Sequence, residues 1–186
     1  MTPGAEFHRH AVKLAANGYF PVPIGAGKKN PRLKGWESYV FCPQDAERYL
    51  REGCGLLTKA TPAIDIDVRQ KPLAEKLQAL AEKMLGRAPV RIGLAPKCAL
   101  LYRTSEPFKK MATREFRFAD DPLGAKPHRV EILADGQQVV VYGIHPDTKK
   151  PYLTSKRPVA CLRCGRSGGR GSIAGFRFRP IGVIQA

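Results

Sequence analysis

The stretch AIDIDV, residues 63–68, determines how the rest of the chain is interpreted. Its alternation predicts a β-strand with the three aliphatic residues on one face and Asp65 and Asp67 on the other. Asp is a poor strand former, and two carboxylates at neighbouring same-face positions repel each other. The pair therefore indicates either a divalent metal site, where a cation removes the repulsion, or two hydrated acids on a half-exposed strand.

Hydrophobic periodicity elsewhere predicts three helices and a series of strands. The helices are expected at 3–17, 43–53 and 71–86. The strands are expected at 19–25, 55–58, 62–68, 90–95, 99–104, 114–119, 129–133 and 137–144. Two prolines place the first strand at a sheet edge. Because the later strands follow each other without intervening helices, the predicted fold class is α+β, with a mixed, largely antiparallel sheet and helices packed against it.

The length and charge of the chain narrow the classes of function. A chain of 186 residues is expected to form one domain with a hydrophobic core, and no apolar run is long enough to span a membrane. No signal sequence precedes the first helix, so a cytoplasmic protein is expected. With 32 Lys and Arg against 16 Asp and Glu, the net charge is +16. Such a surface attracts polyanions, usually nucleic acid, although a basic surface that only aids solubility is the alternative.

Cysteine usage does not predict a disulfide framework or a complete zinc site. The number of cysteines is odd, five in all. Cys161 and Cys164 form a single CxxC pair without the second pair that a tetrahedral zinc site requires.

A third acidic residue, Glu131, strengthens the metal interpretation of Asp65 and Asp67. It lies between Val130 and Ile132 in a strand that has few other acids. Alone it could be a cross-strand salt-bridge residue. Together the three carboxylates are suited to Mg²⁺ or Mn²⁺ ions shared with a triphosphate.

Four segments carry a resemblance to a known family, and they span roughly residues 10 to 152. They are ANGYFPVPIGAGKKNPRLKGW, GCGLLTKATPAIDIDV, VRIGLAPKCALLYRT and VEILADGQQVVVYGIHPDTKKPY. In this order the chain resembles the bifunctional primase-polymerase N-terminal domain of phage and plasmid replication proteins, a branch of the archaeo-eukaryotic primase superfamily. The resemblance implies an RNA-recognition-like sheet and a two-metal nucleotidyl transfer on a single-stranded DNA template, with nucleoside triphosphates as substrates.

The same resemblance assigns roles to individual residues. Asp65 and Asp67 match the family's first acidic motif and Glu131 its third, so all three are expected to be catalytic and to bind two Mg²⁺ or Mn²⁺ ions. The middle motif often has a histidine that contacts the nucleotide's phosphates, but here the corresponding strand has Ala99.

Other residues are expected to bind the nucleotide's phosphates. Lys97 and Arg103 could supply the positive charge, or they could be surface cations that flank an apolar strand. His145 matches a histidine in the last segment and is expected to contact the nucleotide, unless it only caps its turn.

The loop at residues 25–36 is a candidate DNA-binding segment. Lys28, Lys29 and Lys34 could contact phosphates and Trp36 could stack on a base of a single strand. Solvated lysines and a core tryptophan explain the same residues equally well.

The resemblance ends near residue 152, where the composition changes. A catalytic domain is expected at 1–152, followed by a basic Gly/Arg-rich tail at 153–186 that either binds nucleic acid, is disordered, or is read out of frame. In the last case a downstream helicase domain would be missing. Two further functions stay open: a two-metal nuclease, and a catalytically inactive DNA-binding or initiator module.

Overall fold

The computed structural model describes residues 6–155 fully and the backbone of residues 158–162 and 180–183. The helices are α1 (Glu6–Ala16), α2 (Gln44–Arg48) and α3 (Lys71–Leu85), with a single 3₁₀ turn at Trp36–Ser38 between α1 and α2. None of the helices in these ranges has the length and apolar character needed to cross a membrane.

The strands form two main sheets and one small one. In chain order they are β1 (Pro21–Ile24), β2 (Gly53–Leu57), β3 (Ala63–Asp67), β4 (Val90–Ile92), β5 (Cys98–Leu101), β6 (Arg103–Thr104), β7 (Met111–Ala112), β8 (Arg129–Leu133), β9 (Gln138–Tyr142), β10 (Leu153–Thr154), β11 (Pro158–Leu162) and β12 (Pro180–Val183). The strand orders are β1-β2-β9, β10-β4-β5-β3-β8-β7 and β12-β11-β6. Every pair in the two main sheets is antiparallel, and among the strands that the structure describes only β11 with β6 is parallel. The predicted α+β class with largely antiparallel sheets is confirmed.

Helix α3 covers one face of the six-stranded sheet because the aliphatic residues of β3 alternate toward it. Ile64, Ile66 and Leu100 from the sheet pack with Ala74 and Ala81 from α3 in one apolar cluster. Alternation in the strands sends the acidic residues of β3 to the opposite face.

One end of the opposite face of the six-stranded sheet packs against α1 and the three-stranded sheet. There Ala63 and Leu101 pack with Phe7 of α1 and with Leu56 and Val139 of the three-stranded sheet. Asp65 and Asp67 lie further along β3 on this same face, beyond Ala63. The acidic residues therefore lie at the border of a core that holds the two sheets together.

Several predicted elements differ from the structure at their ends. The first strand lies at a sheet edge as predicted, since β1 pairs only with β2 in its sheet. The helix predicted at 43–53 is limited to α2, and the strand predicted at 99–104 is interrupted at Tyr102 between β5 and β6. The strand predicted at 90–95 ends at Ile92, where the chain turns back with Lys97 N–H donating to Leu94 O.

The strand predicted at 114–119 is wrong. Only Phe116 in this segment forms a bridge, opposite His128. The segment turns instead, because the Asp121 carboxylate accepts the backbone N–H of Phe118 at 2.8 Å. A local side-chain contact has here replaced a ladder hydrogen bond.

Part of the tail predicted at 153–186 pairs with the sheets. β10 adds to β4 at the edge of the six-stranded sheet, and β11 pairs with β6. β12 pairs with β11, while residues 163–179, with Cys164 and the Gly/Arg-rich stretch, lie outside the described residues. The domain boundary at residue 152 stays a prediction.

Candidate active site

A row of side chains crosses four neighbouring strands on the face opposite α3. Asp65 of β3 is paired with Glu131 of β8 on one side and with Ala99 of β5 on the other. Ala99 is in turn paired with Arg91 of β4. Residues directly opposite each other on antiparallel strands point to the same face, with Cβ atoms about 5 Å apart. The row therefore runs Arg91, Ala99, Asp65, Glu131.

Asp67 lies one same-face position further along β3, opposite Arg129. The three carboxylates thus occupy adjacent positions on the two central strands. Burial raises the pKa of Asp65 above its usual value, and the negative charges of Asp67 and Glu131 raise it further against the opposing effect of Arg91 and Lys97. The register places the three acids close enough to repel one another.

Cationic side chains contact the carboxylates. Lys97 Nζ lies 2.6 Å from Asp67 Oδ1. Glu131 is buried and contacts Lys110 Nζ at 2.6 Å and Arg129 Nη2 at 3.2 Å. The Lys97 contact lacks hydrogen-bond angles, so Asp67 Oδ1 is buried without a hydrogen-bond partner among the described groups.

The donor set fits a hard divalent cation, although the side chains are not gathered around a single point. Within the described part of the chain, no three His, Cys, Asp or Glu side chains converge as metal ligands do. The acids are turned toward their cations instead. Three carboxylates on one sheet face, with Asp67 Oδ1 lacking a hydrogen bond, still match the oxygen ligands of Mg²⁺ or Mn²⁺. Lys97 and Lys110 have long flexible side chains that can move away from the oxygens.

His145 is buried at the rim of this face, in the turn after β9. Its Nδ1 accepts the backbone N–H of Asp147 at 3.2 Å and of Thr148 at 3.3 Å. Burial lowers its pKa, and the positive charges of Lys29, Arg91 and Lys97 lower it further against the opposing charge of Asp147. His145 therefore caps its turn, which was the alternative expectation, and it also lies within electrostatic range of the basic side of the site.

The structure does not bring Arg103 to the carboxylates. Its guanidinium lies over the Tyr19 ring, 4.1 Å from the centroid, and donates to the carbonyl of Asn17. Arg103 is four residues beyond Ala99, which is about 13 Å along an extended chain. Arg91 instead contacts Asp65, with Nη2 3.8 Å from Oδ1.

The loop at 25–36 lies near His145 rather than at the carboxylates. Lys28, Lys29 and Lys34 are exposed. Lys29 Nζ lies 3.2 Å from Asp147 Oδ2, which holds the loop beside the histidine turn. Trp36 is partly buried against the apolar cluster of the three-stranded sheet, so only part of its ring is available for stacking.

A cavity of about 780 Å³ lies on the other side of the six-stranded sheet, beneath α3. Its lining is mostly apolar and includes Ile64, Leu77, Met84 and Tyr102, with Lys109 and Lys110 as its basic residues. Asp65 and Asp67 point to the opposite face of the sheet. The polar face of the sheet is the better candidate for a nucleotide site.

The sequence analysis missed three residues of the site: Arg91, Arg129 and Lys110. Arg91 and Arg129 occupy alternate positions within strands that were predicted, so pairing those strands correctly would have placed them on the acidic face. Lys110 lies outside every predicted element and gave no signal.

Comparison with known proteins connects this geometry to a family. A search of curated proteins found no match. Among protein families, residues 11–164 match the one described as bifunctional DNA primase/polymerase, N-terminal. The match covers most of the chain and includes the whole row of site residues. The chain belongs to the bifunctional DNA primase/polymerase N-terminal family.

Proposed function

We propose that this chain is a template-directed DNA primase/polymerase domain in which Asp65, Asp67 and Glu131 hold two divalent ions. Family membership supports a nucleotidyltransferase that acts in DNA replication. The observation that carries the proposal is the pairing of Asp65 with Glu131 on adjacent strands, with Asp67 next on the same face. Three acids at these positions are destabilising in a sheet unless a cation or a substrate compensates them.

The protein's own residues would position the substrates around these acids. Asp65, Asp67 and Glu131 would hold the Mg²⁺ or Mn²⁺ ions, which when bound would lower the pKa of an attacking 3′-hydroxyl and neutralise a triphosphate. Lys97 lies beside Asp67 and can exchange its carboxylate contact for a phosphate contact.

The proposed partners are a single-stranded DNA template and nucleoside triphosphates. A charge of +16 supports binding to a polyanion. The exposed lysines at 28, 29 and 34 are the proposed contacts to the template, with Trp36 as a partial stacking surface. Three further parts of the proposal are supported by the resemblance alone. They are an RNA-recognition-like arrangement of the sheet, a helicase domain or protein as a partner, and a role in cytoplasmic replication of a phage or plasmid.

Primer extension and primer synthesis on labelled single-stranded DNA test the proposal. The unmodified protein is expected to give extended products with Mn²⁺ or Mg²⁺ and nucleotides. Asp65→Asn and Glu131→Gln are expected to remove these products and to retain DNA binding. Asp135→Asn, at an exposed turn residue, is the matched control and should extend normally.

Two outcomes contradict the proposal in different ways. Shortening of the DNA without added nucleotides indicates a two-metal nuclease. DNA binding without any incorporation by the unmodified protein indicates a non-enzymatic module, an interpretation that Ala99 in the middle motif keeps open.

A further inference from the structure

We propose that Arg91 binds the phosphates of the incoming nucleotide, together with the Nε2–H group of His145. This inference rests on the proposed function, because it assigns the phosphate subsite of the same site. The resemblance leaves that subsite without its usual histidine, and Arg103 lies too far along the chain to supply it.

The position of Arg91 in the sheet supports a role in phosphate binding. It is in the same row as Asp65 and Glu131 but two strands away from Asp65, on the side of the sheet opposite Glu131. A triphosphate that reaches ions at the carboxylates from this side meets the guanidinium directly. Lys97, which directly precedes β5, adds charge on the same side.

The small side chain of Ala99 makes this reach possible. Ala99 lies between Arg91 and Asp65 in the row and is fully buried. A larger side chain there would stand between the guanidinium and the carboxylates. Ala99, which stands where the family often has a histidine, is therefore the residue over which the Arg91 side chain extends.

The guanidinium of Arg91 is held in place by an aromatic ring and a neighbouring carboxylate. It lies over the Tyr152 ring, 5.3 Å from the centroid, and its side chain is 15% exposed. The contact with Asp65 at 3.8 Å is longer than a hydrogen bond. Nε is buried and has no hydrogen-bond partner among the described residues. A planar guanidinium held in this way is suited to donate hydrogen bonds to two oxygens of a phosphate.

The tautomer of His145 supplies a second donor. Nδ1 accepts two backbone N–H groups, so it carries no proton in the neutral ring. The proton of neutral His145 is therefore on Nε2, for which the described residues offer no acceptor. His145 and Arg91 both pack against the Tyr152 ring, with the His145 centroid 5.2 Å from that of Tyr152, so the two donors lie on the same side of the site.

Binding of inorganic tripolyphosphate and dATP, measured calorimetrically in EDTA, tests the inference apart from catalysis. Arg91→Met is expected to weaken binding by at least about tenfold, since it removes a buried charged partner. Arg91→Lys is expected to recover only part of the affinity, because an ammonium cannot form the bidentate contact. Arg87→Met is the control: it removes an exposed arginine before β4 and should bind normally.

The outcomes separate this inference from the proposed function. Unchanged affinity in a folded Arg91→Met protein overturns it, as does absence of binding by the unmodified protein, whatever the extension assay gives. Arg91-dependent binding in a protein that does not extend primers supports the anion subsite and contradicts only the enzyme. In an active protein, Arg91→Met should raise KM for the nucleotide more than it lowers kcat.

Discussion

At the scale of one residue, the ionised carboxylate of Asp65 is unfavourable in the fold that surrounds it. It is a strand residue, paired on both sides, with a second acid directly opposite. Burial and the neighbouring charges of Asp67 and Glu131 raise its pKa even though Arg91 and Lys97 oppose them. The ionised carboxylate is therefore less stable in the folded protein than in the unfolded chain.

Asp65→Asn is consequently expected to stabilise the protein at neutral pH. An acid with a raised pKa lowers stability at pH values above that pKa, and the loss disappears as the pH falls below its unfolded pKa of about 4. Urea unfolding at pH 7 should show a higher midpoint for the variant, and the difference should vanish near pH 3. Asp135→Asn, at an exposed residue, should show no such gain. A lower midpoint at pH 7 would contradict this account.

Gly93 is a residue at which a single methyl group should disturb the site. A Cβ there would lie 2.5 Å from Tyr152 Cε1 and 2.6 Å from His145 Cδ2, closer than any normal contact. Gly93→Ala is expected to lower the free energy of unfolding by about 1–3 kcal/mol through overpacking. The equivalent change at Gly25 meets only the flexible Lys28 side chain at 3.4 Å and should cost little. Chemical denaturation of both variants compares them, and equal losses would contradict the steric explanation.

At the scale of elements, the segment between β7 and β8 is attached to the end of β3 by a buried polar contact. His128 is fully buried, and its Nδ1 accepts the backbone N–H of Arg69 at 3.1 Å. Its Nε2 lies 2.9 Å from Asp121 Oδ1, and Arg69 Nη2 contacts the same oxygen at 3.2 Å. Since Arg69 follows Asp67 by two residues, this contact positions the acidic end of β3.

Asp121→Asn is expected to destabilise the protein at neutral pH but not in strong acid. The Phe118 N–H and the His128 and Arg69 contacts lower the pKa of Asp121 to about 2. A lowered acid pKa adds stability above its unfolded value, and this stability is lost as the pH falls toward 2. Thermal melts at pH 7 should separate variant from parent, and melts near pH 2 should not.

Asp120→Asn is the matched control for this change. Asp120 is the exposed neighbour and accepts only a contact from Gln70 at 3.3 Å. An equal effect of both variants at pH 7 would show that the buried contact of Asp121 contributes nothing specific.

At the scale of the whole molecule, two groups of exposed lysines lie on different parts of the surface. The exposed lysines of the 25–36 loop lie near the histidine turn, and α3 carries exposed lysines on the other side of the sheet. If single-stranded DNA follows the proposed site, the two groups should contribute unequally. Charge alone cannot make this distinction, because both groups raise the overall field.

Salt titrations of DNA binding measure that difference. Replacing Lys28, Lys29 and Lys34 by Gln is expected to reduce the slope of log K against log salt by about two, since each phosphate contact to a single strand contributes about 0.7. The same replacement at Lys71, Lys76 and Lys83 of α3 removes equal charge and should leave the slope nearly unchanged. Equal reductions would show that the DNA does not follow the loop.

The features of the fold and site that could be predicted from the sequence are those that depend on interactions between residues close together in the chain. Alternation in AIDIDV was enough to place Asp65 and Asp67 on one face, because side-chain direction in a strand is a local property. Alternation also predicted β8, but it predicted a strand at 114–119 that the Asp121 contact with Phe118 N–H prevents. The local pattern held no information about that competing hydrogen bond.

The sequence by itself determined the α+β class, the acidic face of β3 and the basic character of the surface, since these follow from periodicity and composition. Only the tertiary structure decided which strands lie beside β3. The order β4-β5-β3-β8 brings Glu131 and Arg91 to Asp65 and leaves Arg103 away from it. Strand pairing joins residues far apart in the chain, and register is fixed by packing of the whole sheet rather than by any one segment.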